Sequence, residues 1–133
     1  MEIFENAVSQ AVSMASEREE TTWKGFRVVA IDGTKKNLVH SKELVDNFGV
    51  PHGAHYPQML TCALYDGFSK IPLNLAWGPY GSSERAIALE LIKDLGPGDL
   101  LLLDRGYPSF ELLQALIILG INFMMRIPEN GFF

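Results

Sequence analysis

The sequence predicts an α/β fold in which helices pack against a mixed β-sheet. Two apolar runs, at residues 28–31 and 100–103, each lead into an aspartate and a glycine turn. Runs of this length without polar interruption are typical of strands that are buried on both faces. Two strand-like segments with an Asp-Gly turn signal, followed by a helical segment, lie between the runs. This long connection allows the two runs to pair in parallel within one sheet.

Size, charge and cysteine content limit the classes of protein to consider. The chain has 133 residues, a net charge of -5 and a pI of about 5.1, which suits one domain with its own core. The sequence has no apolar run of about 18 residues, so no membrane span is predicted. The first residues lack the basic region of a secretory signal. Cys62 is the sole cysteine, so a cytoplasmic protein without internal disulfides is expected. The acidic charge argues against a free-standing nucleic-acid-binding protein.

The first 22 residues are predicted to form a helix and a linker, ahead of a main domain at residues 23–133. Apolar residues recur at helical spacing over roughly the first fifteen positions, and a polar, charged run follows at residues 16–22. In the main domain, residues 33–57 have weak periodicity of either kind. This predicts an extended loop with one short helical turn at residues 43–48. Strands at residues 59–65 and 71–77 then form a hairpin.

Two helices and a final strand complete the predicted domain. Ser82 or Ser83 can cap a helix that carries an apolar stripe and stops at Gly96. Pro108 is well placed to open the next helix, which reaches Gly120. This helix is apolar on almost every side, so it is predicted to be buried. Residues 121–127 form the last strand, and the order is strand, hairpin, helix, strand, helix, strand.

The two aspartates that follow the apolar runs, Asp32 and Asp104, are the main candidate site. If the two strands are adjacent and parallel, both carboxylates lie at one edge of the sheet, each at the exit of its strand. Neighbouring carboxylates repel each other unless a positive charge lies between them. Ligation by one or two carboxylates, completed by water and phosphate oxygens, is the pattern expected of Mg²⁺ or Mn²⁺. The competing interpretation is that both aspartates are ordinary turn formers before glycine.

The segment that follows the first aspartate holds further candidates. Lys35 and Lys36 suit contacts to the phosphates of a nucleic acid, and a solvated loop is the competing interpretation. His52 and His55 have a spacing that metal ligands can have. However, Gly53 and the flanking prolines argue against a helix that would align them, and no cysteine lies near in sequence to complete a zinc site.

Seven short motifs follow one another between residues 30 and 126. They are Ala30-Ile31-Asp32-Gly33-Thr34, Phe48-Gly49, Tyr65-Asp66, Ser83-Glu84, Gly96-Pro97-Gly98-Asp99, Leu103-Asp104-Arg105-Gly106-Tyr107 and Met125-Arg126. Together the series resembles the catalytic domain of DDE transposases of bacterial insertion sequences, in the group with an Asp-Arg-Gly-Tyr motif at the second aspartate. The resemblance covers about residues 26–127. It implies a ribonuclease-H-like fold and an enzyme that cuts transposon ends and joins them to target DNA.

The resemblance implies a role for each aspartate. Asp32 corresponds to the first catalytic carboxylate and Asp104 to the second. In the family, two aspartates and a glutamate hold two Mg²⁺ or Mn²⁺ ions for an in-line phosphoryl displacement. Arg105 belongs to the second motif and either contacts a DNA phosphate or pairs with a surface carboxylate. Tyr107 belongs to the same motif without a role that the sequence explains.

The family's third carboxylate is not accounted for in this sequence. It comes from a later helix with a Tyr-Arg-Glu-Lys-like motif, which this chain lacks. After Asp104 the sequence has two acids, Glu111 and Glu129, and Glu129 lies beside Pro128 in a predicted turn. The resemblance therefore implies a catalytic domain that is incomplete at its C-terminus, with its upstream DNA-binding region missing or reduced. A two-metal site is expected only with the third carboxylate.

Two functional hypotheses follow. In the first, the chain is an enzyme component, the front half of a transposase that acts on transposon ends and target DNA and whose remainder comes from another segment. In the second, it is a catalytically inactive remnant that binds metal weakly and associates with itself or with a full-length transposase. The fragment alone is expected to be inactive. The missing part also predicts exposed apolar surface, which favours oligomers.

Overall fold

The computed structural model describes residues 2–16 and 22–129, and its helices and strands follow the predicted order. They are α1 (Glu2–Ser16), β1 (Arg27–Asn37), α2 (Lys42–Phe48), β2 (Gln58–Asp66), β3 (Pro72–Pro79), α3 (Glu84–Leu91), β4 (Asp99–Leu103), α4 (Phe110–Ile118) and β5 (Asn122–Met125). A 3₁₀ turn at Ile92–Asp94 continues α3. The linker predicted at residues 16–22 lies largely outside the described residues.

Five strands form one mixed sheet in the order β3-β2-β1-β4-β5. β1 pairs with β2, and β2 with β3, in antiparallel orientation. β1 also pairs with β4, and β4 with β5, in parallel orientation. The helices α3 and α4 lie in the crossover connections that parallel pairs require. The chain therefore has the α/β, ribonuclease-H-like mixed sheet with flanking helices that was predicted, and the two aspartate-bearing strands are neighbours.

The first strand is longer than its apolar run, which corrects two predictions. β1 continues through Gly33 and Thr34 to Asn37, because β2 pairs with it as far as Gln58. Asp32 therefore lies inside a strand and not at its exit. The segment predicted as a loop begins as this strand, which is where the prediction was wrong. The rest of the segment, residues 38–57, is loop apart from the predicted short helical turn, now α2. Polar residues can complete a backbone ladder while their side chains stay in water, and a hydrophobic pattern does not reveal this.

The core lies on one face of the sheet, where α3 and α4 pack. In β4, Leu101 and Leu103 are buried and Leu102 is exposed, because alternate residues of a strand point to opposite faces. The central core residues are Val29, Ile31, Leu60, Cys62, Leu64, Leu101 and Leu103 from the strands and Ile87, Ala88, Leu91, Leu112 and Leu116 from the helices. Removing this apolar surface from water is the main favourable term in the folding of the domain.

The opposite face of the sheet exposes apolar side chains. Val28, Leu102 and Met124 border an open pocket of about 330 Å³ together with Trp23 and Phe68. Apolar surface of this kind is expected on a protein that associates with another surface, and self-association remains a prediction. In the part of the chain that the structure describes, no helix has the length and apolar character needed to cross a membrane.

α4 is less buried than its apolar sequence predicts. Leu112 and Leu116 are its buried residues, whereas Phe110, Ile117 and Ile118 are exposed. The helix packs on the sheet through one stripe of residues spaced four apart, and its other sides face solvent. Composition alone cannot distinguish a helix that is covered on all sides from one that is covered on one side. The number of layers in the fold decides this, so the prediction of a buried helix was wrong.

The helix ends follow the predicted signals only in part, because α4 begins after Ser109 and not at Pro108, the predicted start. Ser109 accepts a hydrogen bond from the backbone N–H of Leu112 at 3.2 Å and so caps α4. Ser83 occupies the corresponding position before α3 but makes no such bond. The chain leaves α3 through its 3₁₀ turn and reaches Gly96 close to the predicted stop.

Candidate active site

The parallel pairing of β1 and β4 brings Asp32 and Asp104 to the same edge of the sheet. The register ends with Ala30 opposite Leu102. Two residues beyond this pair, Asp32 of β1 and Asp104 occupy matching positions, and Asp104 is the first residue after β4. Both aspartates are exposed. They are therefore open to solutes at the edge where parallel strands of an α/β sheet commonly form binding sites.

Both carboxylates line one open pocket of about 520 Å³. Its charged side chains are those of Asp32, Asp104 and Arg126. The other residues of the pocket are Ala30, Ile31, Tyr65, Leu102, Leu103, Met124 and Met125. A largely apolar pocket with a few convergent polar groups is the usual form of a ligand site, and these charges suit a cation together with an anionic group.

Arg126 was not among the site residues predicted from the sequence. Its Nη1 atom lies 3.8 Å from Oδ1 of Asp104, and both side chains are 66% exposed. An ion pair this exposed contributes little stability, so the guanidinium can readily move to another anion. Its backbone N–H donates to the carbonyl oxygen of Leu103 at 3.0 Å, which holds the residue beside the end of β4. The available signal was its place in the Met125-Arg126 motif.

The chemistry of the pocket fits a hard divalent cation. Asp32 and Asp104 offer carboxylate oxygens on an exposed surface, and Mg²⁺ is commonly held by one or two carboxylates while it keeps several waters. Oδ1 of Asp32 also accepts a hydrogen bond from the N–H of Gly33 at 3.0 Å, which orients this carboxylate. Across residues 2–16 and 22–129, no group of three or more histidine, cysteine, aspartate or glutamate side chains is arranged to hold a metal. His52 and His55 accordingly form no such cluster there.

The other predicted residues do not line this pocket. Lys35 and Lys36 are exposed on the part of β1 that extends beyond β4. Arg105 is exposed next to Asp104, and none of the ion pairs between described residues involves it. Glu111 and Glu129, the two acids that follow the second aspartate, are exposed and absent from the pocket. The structure thus brings the two aspartates together in one pocket and leaves Lys35, Lys36 and Arg105 outside it.

Glu84 and Tyr107 lie near the same edge, on the core side of the sheet. Glu84 is the first residue of α3, and a Cβ atom built on Gly33 would lie only 2.8 Å from its Cδ atom. Burial raises the pKa of Tyr107, and the acidic groups of Cys62, Glu84 and Asp32 raise it further. The signal for Glu84 in the sequence was its place in the Ser83-Glu84 motif.

Cys62 is predicted to be unreactive in the folded protein at about pH 8. Burial, together with the charges of Glu84 and Asp32, raises its pKa to about 11. Because the thiolate is the reactive form, labelling by a disulfide reagent should be slow in the native chain and fast in concentrated guanidinium. The folded state holds the thiol proton more tightly than the unfolded state, whose pKa is about 8.5. The contribution of the Cys62 thiol to the free energy of unfolding is therefore fully present below about pH 8.5, and it is lost as the pH rises towards 11.

Equal labelling rates for native and denatured chains would contradict this prediction. A thermal melt series between about pH 7 and pH 10 checks the linked loss of stability. A Cys62→Ala variant is the control, because a pH dependence that persists in this variant comes from other groups.

Comparison with known proteins identifies relatives of the chain. The sequence profile of the family described as Transposase DDE domain matches residues 23–131. Two proteins of Escherichia coli strain K12 are similar. The transposase-like protein InsZ is 29% identical over 111 residues, and transposase InsG of insertion sequence element IS4 is 30% identical over 112 residues. Each alignment covers 80% of this chain, which spans only 37% of InsZ and 25% of InsG.

Two solved structures are also similar. A chain of the simian T-cell lymphotropic virus intasome in complex with PP2A regulatory subunit B56 gamma has a TM-score of 0.48 and 19% identity, over 80% of this chain and 36% of that one. A chain of the Mos1 mariner paired end complex with Mn has a TM-score of 0.46 and 12% identity, over 97% of this chain and 42% of that one. Since the family profile covers most of the sequence, this chain belongs to the family of DDE-domain transposases.

Proposed function

We propose that the chain functions in DNA transposition, through metal-dependent cleavage and strand transfer of transposon DNA, with Asp32 and Asp104 as two of its catalytic carboxylates. Family membership supports the general role. The observation that supports the assignment most is that both aspartates line one open pocket at the edge between β1 and β4. Residues 23–133 would form part of the catalytic domain, preceded by the helix and linker of residues 1–22.

The two aspartates would hold Mg²⁺ or Mn²⁺, with two ions only if a third carboxylate is supplied. A bound ion of this kind supplies positive charge for in-line phosphoryl transfer. Asp32 is suited to this role because its carboxylate is exposed and is oriented by the N–H of Gly33. Asp104 is suited because its position at the end of β4 leaves it open to solvent.

DNA is the proposed partner, in the form of transposon ends and target. Arg126 lies in the pocket, and a phosphate oxygen could replace Asp104 as its neighbour at little cost because their ion pair is long and exposed. Lys35, Lys36 and Arg105 are exposed and do not line the pocket, and they would contact the DNA backbone outside it. Association with a second copy or with a full-length transposase is part of this proposal. Because each copy of this chain has a net charge of -5, further basic surface for DNA would have to come from a full-length transposase.

The alternative is a catalytically inactive module that binds metal or protein. It is favoured by one observation, namely that no third acidic ligand joins the two aspartates within the described parts of the chain. Under this alternative the pocket binds a single cation weakly, and the apolar face around Leu102 and Met124 supports association.

A strand-transfer assay on supercoiled DNA with Mn²⁺ distinguishes the two functions. The enzymatic function predicts nicked or joined products that are lost in both Asp32→Asn and Asp104→Asn. The inactive module predicts no product above background, with Mn²⁺ binding that still depends on the two aspartates. Asp46→Asn is the matched control, since Asp46 is an exposed carboxylate of α2 outside the pocket. Products that survive in both site variants would contradict the assignment.

A further inference from the structure

The backbone that carries the second aspartate is held by the start of α3. Residues 104–106 are exposed, so packing does little to fix their conformation. Nε of Arg85 donates a hydrogen bond of 3.0 Å to the carbonyl oxygen of Gly106. Tyr107 closes the turn, because its N–H donates to the carbonyl oxygen of Asp104 at 3.1 Å and its side chain is buried. The Asp104 loop, residues 104–107, is thus attached to α3 and to the core.

The same helix end also contacts the backbone beside the first aspartate. A Cβ atom on Gly33 would lie 2.8 Å from Cδ and 3.1 Å from Oε1 of Glu84. Real Cβ atoms essentially never show the first distance, and the second is unusually tight. The absence of a side chain at Gly33 therefore makes room for the Glu84 carboxyl group. The N–H of Gly33 donates to Oδ1 of Asp32, so Glu84 packs against the residue that orients the first aspartate.

Tyr107 connects these two contacts. Its hydroxyl group is buried and has no partner at normal hydrogen-bond geometry. Glu84 nevertheless lies near enough to act on this hydroxyl through its charge and as a weak acceptor, in addition to the burial that mainly raises the pKa of Tyr107. A buried hydroxyl without an acceptor is unfavourable.

We infer that Glu84 is a positioning residue that joins the Asp32 strand to the Asp104 loop and thereby sets the separation of the two carboxylates. The inference rests on the proposed function, since the separation matters only if both carboxylates bind one metal site. Glu84 contacts the Asp32 strand at Gly33, and its neighbour Arg85 donates a hydrogen bond to the Asp104 loop at Gly106, so the start of α3 reaches the backbone beside both ligands. Residues that orient metal ligands typically change metal affinity by about 10–100-fold when they are replaced.

A general structural role for Glu84 must be separated from this one. Glu84 lies in the first turn of α3, where a negative charge stabilises the helix, so a loss of stability alone would not be diagnostic. Glu90 lies on the same helix and its exposed carboxylate pairs with Lys93 at 2.7 Å. Glu90→Ala is therefore a matched control that removes a carboxylate from α3 without touching Gly33 or the loop.

Calorimetric titration of the full chain with Mn²⁺ tests the inference. Gly33→Ala should displace the flexible Glu84 side chain and raise the Kd about tenfold. Glu84→Ala should raise it similarly, and Gly33→Ala should add less than about twofold in that background. Glu84→Gln should stay within about twofold of the wild type, because glutamine keeps the shape and a carbonyl acceptor. Glu90→Ala should match the wild type.

Two results would overturn the inference. Unchanged affinity in both Gly33→Ala and Glu84→Ala would show that the contact does not position the ligands. Loss of affinity in Glu84→Gln as large as in Asp32→Asn would make Glu84 a metal ligand. If the wild-type chain bound Mn²⁺ no better than Asp32→Asn and Asp104→Asn, the proposed function itself would fail. A measurement without metal would still decide whether Glu84 holds the Asp104 loop.

Native-state amide exchange supplies that measurement. Glu84→Ala should speed exchange of the Tyr107 amide at least about fivefold, because its hydrogen bond to Asp104 depends on a fixed loop. Glu84→Gln and Glu90→Ala should leave the rate unchanged. Equal rates in Glu84→Ala and the wild type would show that Glu84 does not hold the Asp104 loop.

Discussion

Replacing Asp104 by asparagine is expected to weaken Mn²⁺ binding by about 100-fold, at the upper end of what changes around metal sites produce. Asparagine keeps the shape of the side chain but removes its negative charge, and the charge of the ligands is a main determinant of affinity for hard cations. Asp32→Asn should have a similar effect, because both carboxylates line the same pocket. The pair accounts for all of its acidic side chains.

Thermal unfolding measures this effect directly. At a Mn²⁺ concentration ten times its Kd, binding to the folded state alone adds about 1.4 kcal/mol. For a domain of this size, this corresponds to a rise in Tm of about 5 °C. The rise should disappear in Asp104→Asn and Asp32→Asn and persist in Asp46→Asn.

The metal-free variants are equally informative. The ion pair between Asp104 and Arg126 is exposed and contributes little stability, and removing one of two like charges relieves repulsion. Metal-free Asp104→Asn should therefore melt close to the wild type or slightly above it. A metal-dependent rise in Tm that survives in both aspartate variants would place the cation elsewhere.

Leu101→Ala is expected to lower the free energy of unfolding by about 3 kcal/mol, within the range of about 2–5 kcal/mol for buried leucines. Leu101 is completely buried, at the centre of β4, opposite Val29 of β1 and Phe123 of β5. The shortened side chain leaves a cavity beneath the strand that delivers Asp104. The Tm should fall by about 10 °C, as followed by circular dichroism.

Leu102→Ala is the matched control for the core substitution. Leu102 is the next residue of the same strand, but it lies on the opposite face and is 37% exposed. The same change there should cost less than about 1 kcal/mol, because partly exposed side chains lose less on truncation. Equal losses at both positions would show that the apolar face around Leu102 is covered by another surface in solution.

The sequence by itself determined the order of the elements and the two strands that lead into the aspartates. Apolar runs at residues 28–31 and 100–103, separated by a long connection, predict strands that can pair in parallel, but their adjacency was a condition that only the sheet topology met. Given that adjacency, the common edge position of Asp32 and Asp104 follows from their places at the ends of the runs. This works because the hydrophobic pattern of a buried strand is a local property of the chain.

Other features of the site depend on contacts between distant residues. Lys35 and Lys36 gave no strand signal, yet they extend β1 because β2 offers backbone partners as far as Gln58. The apolar α4 was predicted to be buried, yet only one side of it meets the sheet. In both cases the number and position of neighbours, which no local pattern encodes, decided the outcome.

The surroundings of the two aspartates were likewise decided by the tertiary structure. Glu84 is 52 positions from Asp32 in the sequence, and its contact with Gly33 arises only when α3 packs on the sheet. Arg126 reaches Asp104 because β5 lies beside β4. The sequence therefore determined which residues are chemically able to bind a metal. The packing of α3 and β5 decided which groups lie beside the two aspartates and orient or neutralise their carboxylates. The reason is that local chain preferences fix strands, while long-range packing alone fixes distances between side chains.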